Sequence, residues 1–102
     1  MKTILLRNDS IVIEEEKKGL FSTKKITREI LAEDIVVVRR EEYQGNLNSM
    51  TIILGDNKEE FLIAEECPEI EGLYQFIIKQ RELGKKIKIT KIDIETLEEN
   101  EI

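Results

Sequence analysis

Only one stretch of the 102-residue chain carries a full set of α-helix signals, which restricts the fold to strands arranged around a single helix. Pro68 suits a first helical position, where its missing N–H would have no partner, and Glu69 and Glu71 favour the positive end of the helix dipole. Gly84 suits a left-handed exit. Ile70, Leu73, Tyr74 and Ile77 recur at three- and four-residue spacing, with Phe76, Gln80 and Leu83 continuing one flank. A helix over Pro68–Leu83 therefore lays one apolar stripe on the open side of a sheet. Lys79, Arg81, Lys85 and Lys86 fall at or beyond its C-terminus, where positive charge complements the last carbonyls.

Short segments rich in Ile, Val, Leu and Thr precede it, bounded by turn formers. Thr3–Arg7 and Ser10–Glu16 read as strands around a tight Asn8-Asp9 turn. Lys17, Lys18 and Gly19 make a second turn leading into Phe21–Ile30, where Ser22, Lys24, Ile26, Arg28 and Ile30 share a face. Leu31–Asp34 breaks the pattern, and Ile35–Arg40, with three consecutive valines, resumes it as a buried strand. Gln44–Ser49 reads as a loop. Met50–Leu54 and Glu60–Ala64 form a hairpin around Gly55, Asp56 and Asn57. After the helix, Ile87 and Ile89 alternate with lysines, and the phase slips near Thr90 before Ile92 and Ile94, as in a bulged strand. Thr96–Ile102 is acidic and without periodicity, so it is expected to fray.

A chain of this length supports one core. The expected organisation is a single β-rich α+β domain over residues 1–94 with an acidic tail over 95–102. Charged residues make up 37% and the net charge is -6, which disfavours nonspecific binding to nucleic acid. The single cysteine, Cys67, allows no internal disulfide, no secretory signal opens the sequence, and no apolar run spans a bilayer, so the expectation is a cytoplasmic protein without an integral membrane segment. Its richness in Lys, Glu and Ile points to an AT-rich bacterial, archaeal or phage genome.

The passage Ile26-Thr-Arg-Glu-Ile-Leu-Ala-Glu-Asp-Ile35-Val-Val-Val resembles the strand, polar-acidic corner, strand passage of small bacterial pleckstrin-homology-like (PH-like) and GRAM-like domains. Met50-Thr-Ile-Ile-Leu-Gly-Asp-Asn-Lys-Glu-Glu-Phe61-Leu-Ile, followed by Glu-Cys-Pro-Glu-Ile-Glu-Gly-Leu-Tyr-Gln-Phe-Ile, is similar to their last hairpin and closing helix. The resemblance covers roughly residues 3–83 and consists of hydrophobic spacing. It implies an antiparallel, partly open barrel of about six or seven strands closed by the helix at 68–83, used for binding proteins or lipid headgroups, with no catalysis. Lys24, Lys25 and Arg28 correspond in it to headgroup-binding positions of an early hairpin.

The residues themselves also point away from catalysis. Without any histidine, the commonest general base, the histidine triads and most zinc sites are excluded. Cys67 precedes a helix start, where the dipole lowers a thiol pKa, yet a small residue filling the junction explains it better than a nucleophile does. The 22 acidic residues single out no carboxylate pair, Asp56 and Asn57 are explained by a turn, and no glycine cluster cradles phosphate. The expectation is a noncatalytic protein with no cofactor and no metal.

Two surface features survive. Lys17, Lys18, Lys24, Lys25 and Arg28 bracket a turn carrying Leu20 and Phe21, a geometry suited to an anionic surface, including peripheral contact with anionic lipid. The isoleucines Ile87, Ile89, Ile92 and Ile94 form a strand that can pair with its own sheet, a second copy or another protein. An interaction module binding protein partners, or itself, through that sheet edge is the leading reading. Its rival is a small acidic inhibitor or antitoxin-like protein whose Glu41-Glu42, Glu65-Glu66 and Glu98-Glu99 ends block a basic partner.

Overall fold

The computed structural model describes the whole chain, Met1–Ile102. Three strands, β1 (Lys2–Leu6), β2 (Ser10–Lys18) and β3 (Thr23–Leu31), make an antiparallel meander. A single 3-10 turn at Ala32–Asp34 leads into the second sheet, formed by β4 (Ile35–Tyr43), β5 (Asn46–Leu54), β6 (Glu59–Ile63), β7 (Lys88–Asp93) and β8 (Glu99–Glu101). Its strand order is β6-β5-β4-β7-β8, and the one helix, α1 (Ile70–Glu82), crosses from β6 to β7. The fold is thus a β-rich α+β arrangement of eight strands in two sheets with one helix.

Period-two alternation decides which faces meet. Ile4, Ile13 and Arg28 form one cross-strand row of the meander, with Ile11 and Ile30 in the next. In the second sheet Val38, Ile52 and Ile89 share a row, flanked by Met50 and Leu62. These faces and the helical stripe Ile70, Leu73, Tyr74 and Ile77 bury one another in a single core. The last helical turn is pinned to the β1–β2 turn, where Gln80 Nε2 donates to the Asn8 carbonyl at 2.9 Å. Gly84 leaves the helix at φ 107°, and the Lys85 N–H closes back on the Gln80 carbonyl at 3.1 Å.

Several expectations need correction. The strands form two sheets, and β7 runs parallel to β4 where antiparallel pairing alone was expected. The parallel pairing follows from α1, whose crossover returns the chain in the direction of β6. Residues 44–49 are no loop, because Gln44 and Gly45 both take left-handed φ (51° and 81°) and close a two-residue turn, so β4 and β5 run up to it. The helix starts at Ile70, with Pro68 and Glu69 in the preceding turn. Nor does the tail fray. Asp93 Oδ1 accepts from the Glu95 N–H at 2.8 Å, turning the chain so that β8 pairs with β7, and the Ile102 N–H reaches the Ile89 carbonyl at 2.8 Å.

Candidate functional site

Beyond the end of β1, β2 and β3 continue as a two-stranded ribbon. The β1 pairing stops at Lys2 opposite Glu15, whereas the β2–β3 ladder runs on through Lys17 opposite Lys24 and Lys18 opposite Thr23. The turn closes with the Gly19 N–H donating to the Ser22 carbonyl at 2.7 Å, which leaves Leu20 and Phe21 at the tip, 90% and 94% exposed. Scattered exposed apolar residues are ordinary, but two large neighbours bared almost completely are not. The radius of gyration, 14.2 Å, exceeds the roughly 13 Å of a compact chain this long, in keeping with a projecting ribbon.

The ribbon is also cationic. Lys17, Lys18, Lys24 and Lys25 are exposed, with no acidic residue between Lys17 and Lys25 in sequence. Lys25 reaches Glu14 at 3.3 Å, a solvent-exposed pair of little energetic weight. Lys17 and Lys24 stand directly opposite each other, an arrangement that costs stability in a ladder. Local structure does not require it.

Arg28 has a different task. From β3 its guanidinium reaches Glu60 on β6, the Nη2 donating at 2.7 Å, and Lys2 Nζ from β1 donates to the same carboxylate at 3.0 Å and to the Phe61 carbonyl at 2.9 Å. The Glu60 side chain is only 9% exposed. Burial alone pushes its carboxyl up, but the hydrogen bonds from Arg28 and Lys2 outweigh that and hold it below the usual carboxylate range. Arg28, placed by sequence reading with the basic turn, is therefore part of a charged clasp between the two sheets. Sequence gave no signal for Glu60 beyond its β6 position, since its partners lie 32 and 58 residues away.

The isoleucine segment is no free edge. β7 lies between β4 and β8, Ile87 and Ile89 are in the core, Ile92 is partly covered, and only Ile94 is exposed. Of the three pairings open to it, the chain uses its own sheet, because the α1 crossover delivers β7 alongside β4. Cys67 is fully buried, and burial, then the nearby Glu69 carboxylate, push its thiol up, opposite to what nucleophilic activation requires. Glu41 accepts hydrogen bonds from the Ser49 and Thr51 hydroxyls at 2.7 and 3.1 Å, and Glu42 accepts from Arg40 at 2.7 Å. That pair consequently does not form a free acidic end. No helix is long and apolar enough to cross a membrane, and no group of three or more acidic or cysteine side chains gathers in a metal-holding arrangement.

Compared with known proteins, the chain matches no family model, no curated protein and no solved structure.

Proposed function

We propose that the chain is a noncatalytic interaction module that binds a protein partner through the tip of the β2–β3 ribbon. The observation carrying this reading is the near-complete exposure of Leu20 and Phe21 at the end of a strand pair flanked by four lysines. Burying both side chains in a partner groove is worth about 3–6 kcal/mol before ordering costs, and carboxylates on the groove's rim would relieve the Lys17–Lys24 repulsion. A protein groove fits better than an anionic bilayer, because the tip offers only two apolar anchors and the remainder of the chain is strongly acidic. The likeness to PH-like domains enters this reading only through element order, the meander followed by a hairpin and a helix; its partly open barrel remains part of the proposal, and β7 and β8 lie outside it.

A photo-crosslinking phenylalanine analogue at position 21, used in lysate of the source organism, tests the reading. The expected result is a discrete protein adduct that fades at high salt and disappears when Lys17, Lys18 and Lys24 are changed to glutamate. Salt-sensitive sedimentation with phosphatidylserine vesicles and no protein adduct would overturn the protein-partner reading in favour of membrane binding, and the absence of both adduct and vesicle binding would end the proposal.

A further inference from the structure

We infer that the outer edge of β3 is a self-association surface, on which two copies of the chain pair antiparallel about a two-fold axis at Thr27. β3 is the long unpaired edge of the meander, hydrogen-bonded to β2 alone. The two edges of the second sheet, β6 and β8, are blunted. Lys2 Nζ occupies the Phe61 carbonyl on β6, and β8 is three residues, Glu-Asn-Glu.

The bonds that close the ladder at its two ends, Gly19 N–H to the Ser22 carbonyl and Ala32 N–H to the Asp9 carbonyl, fix the hydrogen-bonding phase. Residues 24, 26, 28 and 30 bond inward to β2, so the backbone groups of Thr23, Lys25, Thr27, Glu29 and Leu31 point outward. All five of these residues are exposed. An open cleft of about 370 Å³ is lined by Arg28, Glu29 and Ile30 on one side and by Leu54 and Lys58 to Glu60 across it.

The side chains select both partner and register. With the axis at Thr27, the two threonines face each other and Lys25 lies opposite Glu29 of the second copy on both sides of the axis. Arg28 lies opposite Ile26 and Lys24 opposite Ile30, so no like charges meet. Every nearby register is worse. Moving the axis by one residue sets Lys24 against Arg28 or Arg28 against itself, and moving it by two sets Lys25 or Glu29 against itself. The Thr27 register joins two meanders into one sheet with about ten new backbone hydrogen bonds and points the two Leu20–Phe21 tips in opposite directions. The pairing shares Lys24 and Lys25 with the ribbon but leaves Leu20 and Phe21 free, so substitutions at those two positions separate it from the proposed function.

Sedimentation velocity of the full chain over a concentration series reaching the millimolar range tests this. The expected result is a monomer–dimer equilibrium. Lys25→Glu or Glu29→Lys should each weaken it about tenfold or more, because two symmetric attractions become repulsions, and the double exchange should recover most of the loss. Thr27→Pro should abolish the dimer while keeping the monomer folded by urea titration, because the Thr27 N–H points away from β2. Leu20→Ser with Phe21→Ser should leave dimerisation unchanged. A chain that stays monomeric throughout overturns the inference, as does a dimer that Thr27→Pro and the charge reversals leave intact.

Discussion

Glu60→Ala removes the acceptor at the centre of the clasp and tests whether the two sheets are held by charge as well as by apolar burial. Glu60 receives bonds from Lys2 Nζ and from Arg28 Nε and Nη2, so the substitution leaves two cations facing a gap. Breaking a fully buried pair costs about 3–5 kcal/mol. Here Arg28 is 33% exposed and keeps Glu15 at 3.5 Å, while Lys2 keeps the Phe61 carbonyl, so part of the loss is recovered. The expected destabilisation is about 2–3 kcal/mol, or a fall of about 10–20 °C in Tm for a chain of this size. Urea and thermal unfolding at pH 7 measure it, and a double-mutant cycle with Arg28→Ala should return a coupling of about 1–2 kcal/mol. The pH dependence gives a second, independent reading. A carboxylate whose pKa is lowered in the folded state contributes stability that is complete above its unfolded pKa and disappears as pH falls through the folded value. The gap between wild type and Glu60→Gln should hold steady from about pH 7 to 5.5 and close below about pH 4. A loss under about 0.5 kcal/mol, or a gap that persists into acid, would refute the account of the clasp.

Ile89→Ala should cost about 3–4 kcal/mol and Ile94→Ala under about 1 kcal/mol, because Ile89 is fully buried and Ile94 is 39% exposed; equal losses in urea titrations would contradict the placement of β7. Cys67 should react with a thiol reagent at neutral pH far more slowly than a free thiol, at a rate that rises on adding urea; rapid reaction of the native chain would mean that the buried position is wrong. Lys17→Glu should raise stability by about 0.5–1 kcal/mol while weakening partner binding, since it turns the Lys17–Lys24 repulsion into attraction; a loss of stability would show that the facing lysines are not in repulsion.

Local chemistry made much of the fold legible. The Pro68–Gly84 frame located the helix to within two residues at its start, and the Asn8-Asp9 and Gly55-Asp56-Asn57 turns located two hairpins. What stayed hidden is nonlocal. Nothing in the alternation of Ile87–Ile94 says whether its neighbour is β4, another molecule or solvent, because that depends on where the α1 crossover delivers the chain. The β4–β5 turn was missed because Gln44, which gives no left-handed signal, takes φ 51° there beside Gly45. The basic residues at 17–28 were visible as a cluster, but their division was not. Lys17, Lys18, Lys24 and Lys25 stay in solvent on the ribbon, while Arg28, three residues on, turns inward because β6 brings Glu60 within reach.

That division bears on what the charges are for. Over the body of the chain, several side chains that look like binding groups in sequence have partners within the molecule: Glu60 with Lys2 and Arg28, Glu42 with Arg40, Arg40 also with Glu71 and stacked 4.5 Å over the Tyr74 ring, and Glu41 with two hydroxyls. Each is accounted for by the fold it helps to hold. The ribbon tip follows the opposite rule: Lys17 and Lys24 face each other instead of a carboxylate, and Leu20 and Phe21 face water. An acidic residue in place of Lys17 or Lys24 and a polar one in place of Leu20 or Phe21 would cost no core contact. Those four residues are therefore the ones to which the proposed contact outside the chain would give a use.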